Sequence, residues 1–273
     1  MQEVCVVSAL FNINRDKLDG RKWEEYIEWF SKTLDLNVPM ILFVTKDVEE
    51  IVINKRKNKK TKIILSEIKD IPYIYLNERI QNILDSDLYK NKIMDNQRIE
   101  CLYSMYSVIQ YSKFEWLKKA VNQNPFNSKI FLWMDAGASR FFKKYKTKEL
   151  FPSRYFLELI EEIGNKFIIQ MNYDSYPDLY KSKKLDEKYL YDNRSFVLGS
   201  LFGGNEQAIK TISELIREIL VEKMIKLNNM NNEQIALGYL SKKNPDLFWL
   251  YKRKNKQHMD IFKMLTKKSW FEL

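Results

Sequence analysis

At 273 residues the chain is long enough for one sizeable buried core, and its 45% hydrophobic and 14% aromatic content excludes disorder as the main state. A formal charge of +10 and a pI near 9.2 call for anionic partners without choosing among nucleotide phosphates, anionic lipid and nucleic acid. Cys5 and Cys101 both lie in apolar patterns, which excludes a disulfide framework or zinc spacing and fits a reducing cytoplasm. The apolar run at 4–11 is too short for a membrane span and lacks the basic lead of a signal peptide.

That run reads as a buried strand with turn chemistry after it at 12–20. Trp23, Tyr26, Ile27, Phe30 and Leu34 then recur at helical spacing over 22–36, and Pro39 opens a second strand at 40–44. This βαβ beginning favours a parallel sheet covered by helices. A third strand is expected at 62–65, a helix at 78–84, and a long helical periodicity over 95–121. After Asn124 and Pro125 the run 129–134 is the clearest strand, ending at Asp135, Ala136 and Gly137. A helix at 153–163 opens on a Ser able to cap it, and strands follow at 166–171 and 195–202, the latter ending in Gly203 and Gly204. A long amphipathic helix is expected at 206–227, and a shorter one from Asn232 to just before Asn244 and Pro245. No linker divides the chain, so 1–273 reads as a single α/β domain with a basic C-terminal segment from about 252.

Ligands in open α/β sheets bind beyond the carboxyl ends of strands, which selects 8–15, 135–137 and 203–205. Asp135 at a strand end, followed by small residues, leaves room for a bulky ligand and could hold a divalent cation against a diphosphate; it could equally start a turn. Gly203 and Gly204 could let the backbone approach a sugar, or serve a strand-to-helix turn. Glu233 and Gln234 could be a base and a sugar-positioning amide, or acids and amides that stabilise a helix start. Arg15, Arg21 and Lys113 are candidate diphosphate partners. His258, the single histidine, could complete a metal shell with Asp135, or be solvated beside Lys256 and Gln257.

Two basic clusters stand out, one at Lys55, Arg56, Lys57, Lys59, Lys60 and Lys62, the other running from Lys252, Arg253, Lys254 and Lys256 to Lys263, Lys267 and Lys268. Each is a solvated face or a surface drawn to an anionic inner membrane.

The strand Val4-Cys5-Val6-Val7-Ser8-Ala9-Leu10-Phe11, the loop between Arg15 and Arg21, the Ser112-Lys113-Phe114-Glu115-Trp116-Leu117 segment, Trp133-Met134-Asp135-Ala136-Gly137, and Asn232-Glu233-Gln234 through Asn244-Pro245 together resemble the WlaTC/HtrL/YibB family of bacterial glycosyltransferases. The resemblance spans most of the chain. It implies a GT-A-like fold with a mostly parallel central sheet flanked by helices, a nucleotide-sugar donor, and a role in lipopolysaccharide, lipooligosaccharide or capsule assembly. It places the nucleotide pocket at the first strand's end, where Ser8, Ala9 and Phe11 are expected to contact the nucleotide, with Ala136 and Gly137 among the expected nucleotide-sugar-binding residues. It makes Asp135 the counterpart of the metal-binding acid of an Asp-x-Asp motif, whose second acid is Gly137 in this sequence, leaving dependence on Mn or Mg open. The acceptor implied is a glycan or lipid-linked glycan, with the protein in the cytoplasm or peripheral at the inner membrane, and nucleic acid is not an expected partner. A non-catalytic RNA- or membrane-binding module and a sugar nucleotidyltransferase are the alternative readings.

Overall fold

Seven strands form one sheet in the order β3-β2-β1-β4-β6-β5-β7 in the computed structural model, which describes residues 4–172, 184–252 and 260–267. They are β1 Val4–Leu10, β2 Met40–Val44, β3 Thr61–Leu65, β4 Ile130–Met134, β5 Phe167–Met171, β6 Val197–Gly204 and β7 Phe248–Tyr251. All neighbouring pairs are parallel except those of β6, which runs antiparallel to both β4 and β5.

The period-two alternation of the strands explains why helices cover both sides. Cys5, Val7, Ile41, Phe43, Phe131 and Trp133 face one core, while Val4, Val6, Met40, Leu42, Leu132 and Met134 face the other. The first core is closed by helices α3 Asn77–Asp85, α4 Ser104–Gln123, α6 Glu206–Glu218 and α7 Glu233–Lys243, through residues such as Ile83, Tyr111, Ile212 and Leu237. The second is closed by α1 Trp23–Thr33, α2 Lys46–Arg56, α5 Arg154–Ile163 and α8 Ile261–Leu265, through Phe30, Val48, Phe156 and Phe262. The expected α/β architecture, a mostly parallel sheet between helical layers, is the one found. Among the described residues no helix is long and apolar enough to cross a membrane.

Several elements differ from the sequence reading. Helix α2 occupies a stretch for which no element was expected, because its β-branched run Ile51, Val52 and Ile53 has poor intrinsic helix preference and packing overrides it. The periodicity over 95–121 becomes helix only from Ser104, since Asp95 takes a left-handed conformation and residues 99–101 form a 3-10 turn. The segment 206–227 leaves α-geometry after Glu218, continuing as a π turn and then a 3-10 turn. Ser153 caps α5 as expected, accepting from the Phe156 amide at 3.2 Å.

The first basic cluster is not uniformly solvated. The Arg56 guanidinium is folded inside, donating to the carbonyls of Leu34, Leu36, Val38 and Lys60 and to the Thr61 hydroxyl. Those carbonyls follow α1 and precede β2 and β3; Leu34 and Lys60 also accept from Lys59 and Met40, so Arg56 chiefly satisfies Leu36 and Val38, which burial would otherwise leave unpaired. In the second cluster, residues 253–259 and 268–273 lie outside the described residues, and with them Arg253, Lys254, Lys256, His258 and Lys268.

Candidate functional site

The strand order reverses at β1, which has β2 on one side and β4 on the other. Helices therefore leave the two strand ends in opposite directions, and a crevice opens beyond them. A cleft of about 380 Å³ lies there, lined by the end of β1 through Ala9, Phe11 and Ile13, and by Asp135, Ala136 and Gly137 after β4. Its wall is completed by Tyr106, Gln110 and Lys113 on α4, by Gly199 and Ser200 on β6, and by Glu233 and Gln234 opening α7.

The loop after β4 is fixed in place before any ligand arrives. Thr33 on α1 donates to the Ala136 carbonyl at 3.1 Å, and the Ser139 hydroxyl donates to the Trp29 carbonyl at 2.7 Å. The Asp135 amide donates to the Ser200 carbonyl at 2.9 Å, continuing the β4–β6 ladder by one step. Behind the floor, Phe11, Trp116 and Trp133 form a stack, with ring centroids 5.4 and 5.8 Å apart and interplanar angles of 6° and 8°. The Trp133 indole N–H donates to Asp135 Oδ1 at 2.7 Å, so a residue of the rigid stack aims the carboxylate.

At the centre is a buried triad of charges. Lys113 Nζ donates to Asp135 Oδ1 at 3.0 Å, to Glu233 Oε1 at 2.8 Å and to the Gly199 carbonyl at 3.2 Å. An ammonium has three N–H donors, and these acceptors use all of them. Burial alone would pull the Lys113 ammonium down, but the Asp135 and Glu233 carboxylates outweigh it and hold it above its ordinary value. Glu233 has no exposed surface, and burial pushes its carboxyl above the usual range, with Lys113 offsetting part of the rise and Asp135 adding to it. Gly199 makes room for this carboxylate, because a Cβ there would overlap Glu233 Oε1 and stand 3.0 Å from Gln234 Cγ.

Two acceptors in this wall have no donor among the described residues, Glu233 Oε2 and Gln110 Oε1. Unpaired buried acceptors are costly, and a cleft that contains them calls for a ligand or water offering O–H or N–H groups.

The outer part of the cleft is cationic. Arg140 packs its guanidinium 4.6 Å from the Trp29 ring centroid while its Nε donates to the Gly137 carbonyl at 2.9 Å. Burial lowers its pKa, and Arg21 and Arg15 lower it further, so the three guanidinium groups repel one another around one space. Arg15 is held by the Asp19 carboxylate and the Tyr26 hydroxyl and lies 4.7 Å from the Tyr106 ring centroid. Arg21 is only 3.9 Å from Asp19 and has no hydrogen bond among the described residues; neither do the two η-nitrogens of Arg140.

Thus Ala9, Phe11, Arg15, Arg21, Lys113, Asp135, Ala136, Gly137, Glu233 and Gln234 all line one cleft. Ser8 does not: its side chain is fully buried and donates to the Met134 carbonyl at 2.6 Å, tying β1 to β4. Gly203 and Gly204 are also elsewhere. They pair with Leu132 and Phe131 at the far end of β4, because β6 runs antiparallel and brings its beginning, not its end, to the cleft. Gly203 serves packing there, since a Cβ would overlap the Phe131 carbonyl oxygen. Gly199, Ser200, Arg140, Gln110 and Tyr106 were not singled out in the sequence. The helical spacing of Tyr106, Gln110 and Lys113 on one face was the available signal for two of them.

Asp135 shares its Oδ1 with Trp133 and Lys113, and among the described residues there is no group of three or more His, Cys, Asp or Glu side chains able to hold a metal ion. The donor set around Asp135 does not fit a divalent cation, since an ammonium stands between the two carboxylates that would bind one.

Comparison with known proteins adds a family. A solved mouse xyloside xylosyltransferase 1, apo form, overlaps 91% of this chain and 84% of its own, with 10% identity and a TM-score of 0.39. A 4-diphosphocytidyl-2C-methyl-D-erythritol synthase from Anaerococcus prevotii overlaps 95% of each chain, with 11% identity and a TM-score of 0.38. In sequence, the chain is 23% identical to Protein HtrL of Escherichia coli (strain K12) over 279 residues, covering 94% of this chain and 90% of that protein. Residues 2–267 match the family described as "Bacterial protein of unknown function (HtrL_YibB)", and the chain belongs to that family.

Proposed function

We propose that the protein is a glycosyltransferase that moves a sugar from a nucleoside diphosphate donor to a hydroxyl of a bacterial surface glycan. The observation that carries this is one cleft pairing a cationic rim with buried acceptors that have no donor among the described residues: Arg21 and Arg140 on one part, Glu233 Oε2 and Gln110 Oε1 on the other. A diphosphate suits the first and sugar hydroxyls suit the second. The cleft's position at the reversal of strand order is where α/β sheets bind nucleotides.

In this reading the acceptor oxygen attacks the anomeric carbon, the bond from that carbon to the diphosphate oxygen breaks, and its electron pair leaves with the nucleoside diphosphate. The acceptor's proton passes to Glu233 Oε2 and then to water. Glu233 suits the role because burial raises its carboxyl toward the working pH, where a base is most effective. Lys113 and Trp133 hold Asp135 so that its second oxygen can orient a sugar hydroxyl. Arg21 and Arg140 interact more strongly as charge collects on the leaving diphosphate. The family resemblance and the basic character of the chain support the proposed acceptor class and a cytoplasmic place beside the inner membrane.

Calorimetric titration with uridine, cytidine, guanosine and adenosine diphosphates tests the donor site. Binding of at least one, weakened by Arg21→Gln, is expected. Binding of none, with RNA retained, supports a nucleic-acid module instead.

A further inference from the structure

We infer that this site works without a divalent metal, Lys113 standing in the place of a cation between Asp135 and Glu233 while Arg140 and Arg21 meet the diphosphate. The inference rests on the proposed donor site for its second half and on geometry alone for its first.

A divalent cation bound by carboxylates needs oxygen ligands at about 2.0–2.6 Å. Here one oxygen of each carboxylate, Asp135 Oδ1 and Glu233 Oε1, already meets Lys113 Nζ, at 3.0 Å and 2.8 Å, so the space between the two groups holds an ammonium. The Gly199 carbonyl, a further oxygen of the type a metal would take, faces the same ammonium at 3.2 Å. A metal entering between these groups would have to expel a lysine that is nearly fully buried and joined to a helix whose neighbours Tyr111 and Phe114 are core residues. The charge arithmetic agrees, because one ammonium and two carboxylates leave a single negative charge to be countered by the nearby guanidinium groups.

The lysine cannot also bridge the diphosphate, since its three donors are used. That task falls to groups whose donors are unspent. Arg140 is oriented by the Gly137 carbonyl and the Trp29 ring, neither of its η-nitrogens has a hydrogen bond among the described residues, and Arg21 is tethered only loosely to Asp19. A planar guanidinium offers two parallel donors to phosphate oxygens, which a single ammonium does not.

The test has a part that needs no substrate. Manganese titration followed by electron paramagnetic resonance is expected to show no Asp135-dependent site in the wild type. The same titration of Lys113→Ala, which frees the carboxylate pair, is expected to show one, lost again in Lys113→Ala with Asp135→Asn. Should Lys113→Ala fail to fold, Lys113→Gln carries this arm, the amide oxygen being itself a metal ligand. In a second part, nucleoside diphosphate affinity is expected to be the same in chelator and in magnesium, and to fall about tenfold or more in Arg140→Gln, as for loss of a hydrogen bond to a charged group. Manganese bound by the wild type and lost in Asp135→Asn or His258→Ala overturns the inference, as does nucleotide binding that requires metal or a folded Lys113 variant that gains no manganese site. Failure of any nucleotide to bind removes the donor reading and leaves the manganese result standing by itself.

Discussion

The Lys113 ammonium lies 2.8 Å from Glu233 Oε1, joining the middle of α4 to the first residue of α7 inside the wall of the cleft. This contact links a buried carboxylate to a buried cation whose other partner is the strand-end Asp135. Stability and the proposed chemistry thus draw on the same three side chains.

Removing the cation exposes that coupling. Lys113→Met leaves Glu233 buried beside Asp135 with no counter-charge, and breaking a buried pair from one side costs about 3 kcal/mol or more. The variant's Glu233 carboxyl, raised further above its unfolded value of about 4.3, stabilises the fold only while protonated. Its stabilising contribution is present in acid and lost as pH rises through the folded value. We expect the deficit relative to wild type, read by urea unfolding, to widen as pH rises above the unfolded carboxyl value of about 4.3. A pH-independent deficit contradicts this assignment.

Gly199→Ala tests the space around the proposed base, Glu233. A Cβ at this position overlaps Glu233 Oε1, so the carboxylate must move. Displacement of a reacting group by about 1 Å typically costs on the order of 100-fold in rate. We expect kcat to fall by that order while nucleoside diphosphate affinity, set by the arginines, stays near wild type. A matching loss of affinity would show that the substitution disturbs the whole cleft.

Trp133→Phe separates stacking from aiming. Phenylalanine keeps an aromatic ring against Trp116 but removes the donor to Asp135 Oδ1. The lost charge-assisted hydrogen bond should lower stability by about 1.5–3 kcal/mol, less any compensation from Lys113. A larger drop in kcat than in substrate affinity is expected, and unchanged kcat would show that Asp135 needs no orienting partner.

Arg56→Met separates the two kinds of basic residue in the first cluster. The substitution strands the carbonyls of Leu36 and Val38, while Leu34 keeps the Lys59 ammonium, and each unpaired buried group costs about 1–3 kcal/mol. Lys57→Met, on an exposed neighbour, is expected to change stability by less than about 0.5 kcal/mol. Equal effects on thermal unfolding would contradict the clamp role of Arg56.

The strands were legible because their alternation and their abrupt ends are local facts. Residues 130–134 are apolar throughout and stop at Asp135, and the structure ends β4 there. The direction of β6 was not legible, because an antiparallel strand inside a parallel sheet depends on a long connection rather than on its own residues. That single fact moved the site from Gly203 and Gly204 to Gly199 and Ser200. Arg56 and Arg140 looked like any surface cations, since what singles them out is a set of distant carbonyls and a Trp29 ring reached only after folding. Glu233 and Gln234 carried two readings in the sequence; the structure has them open a helix capped by Asn232 and also line the cleft, so the helix-start reading leaves room for the proposed catalytic one.

The most direct test of the proposed activity is product analysis of a nucleotide-sugar panel, with and without a bacterial glycolipid extract as acceptor, using the wild type and Glu233→Gln. We expect one donor to release its nucleoside diphosphate in step with sugar transfer, and Glu233→Gln to slow that release by about 100- to 10,000-fold. Turnover of no donor, pyrophosphate as the released product, or a wild-type rate in Glu233→Gln would contradict it.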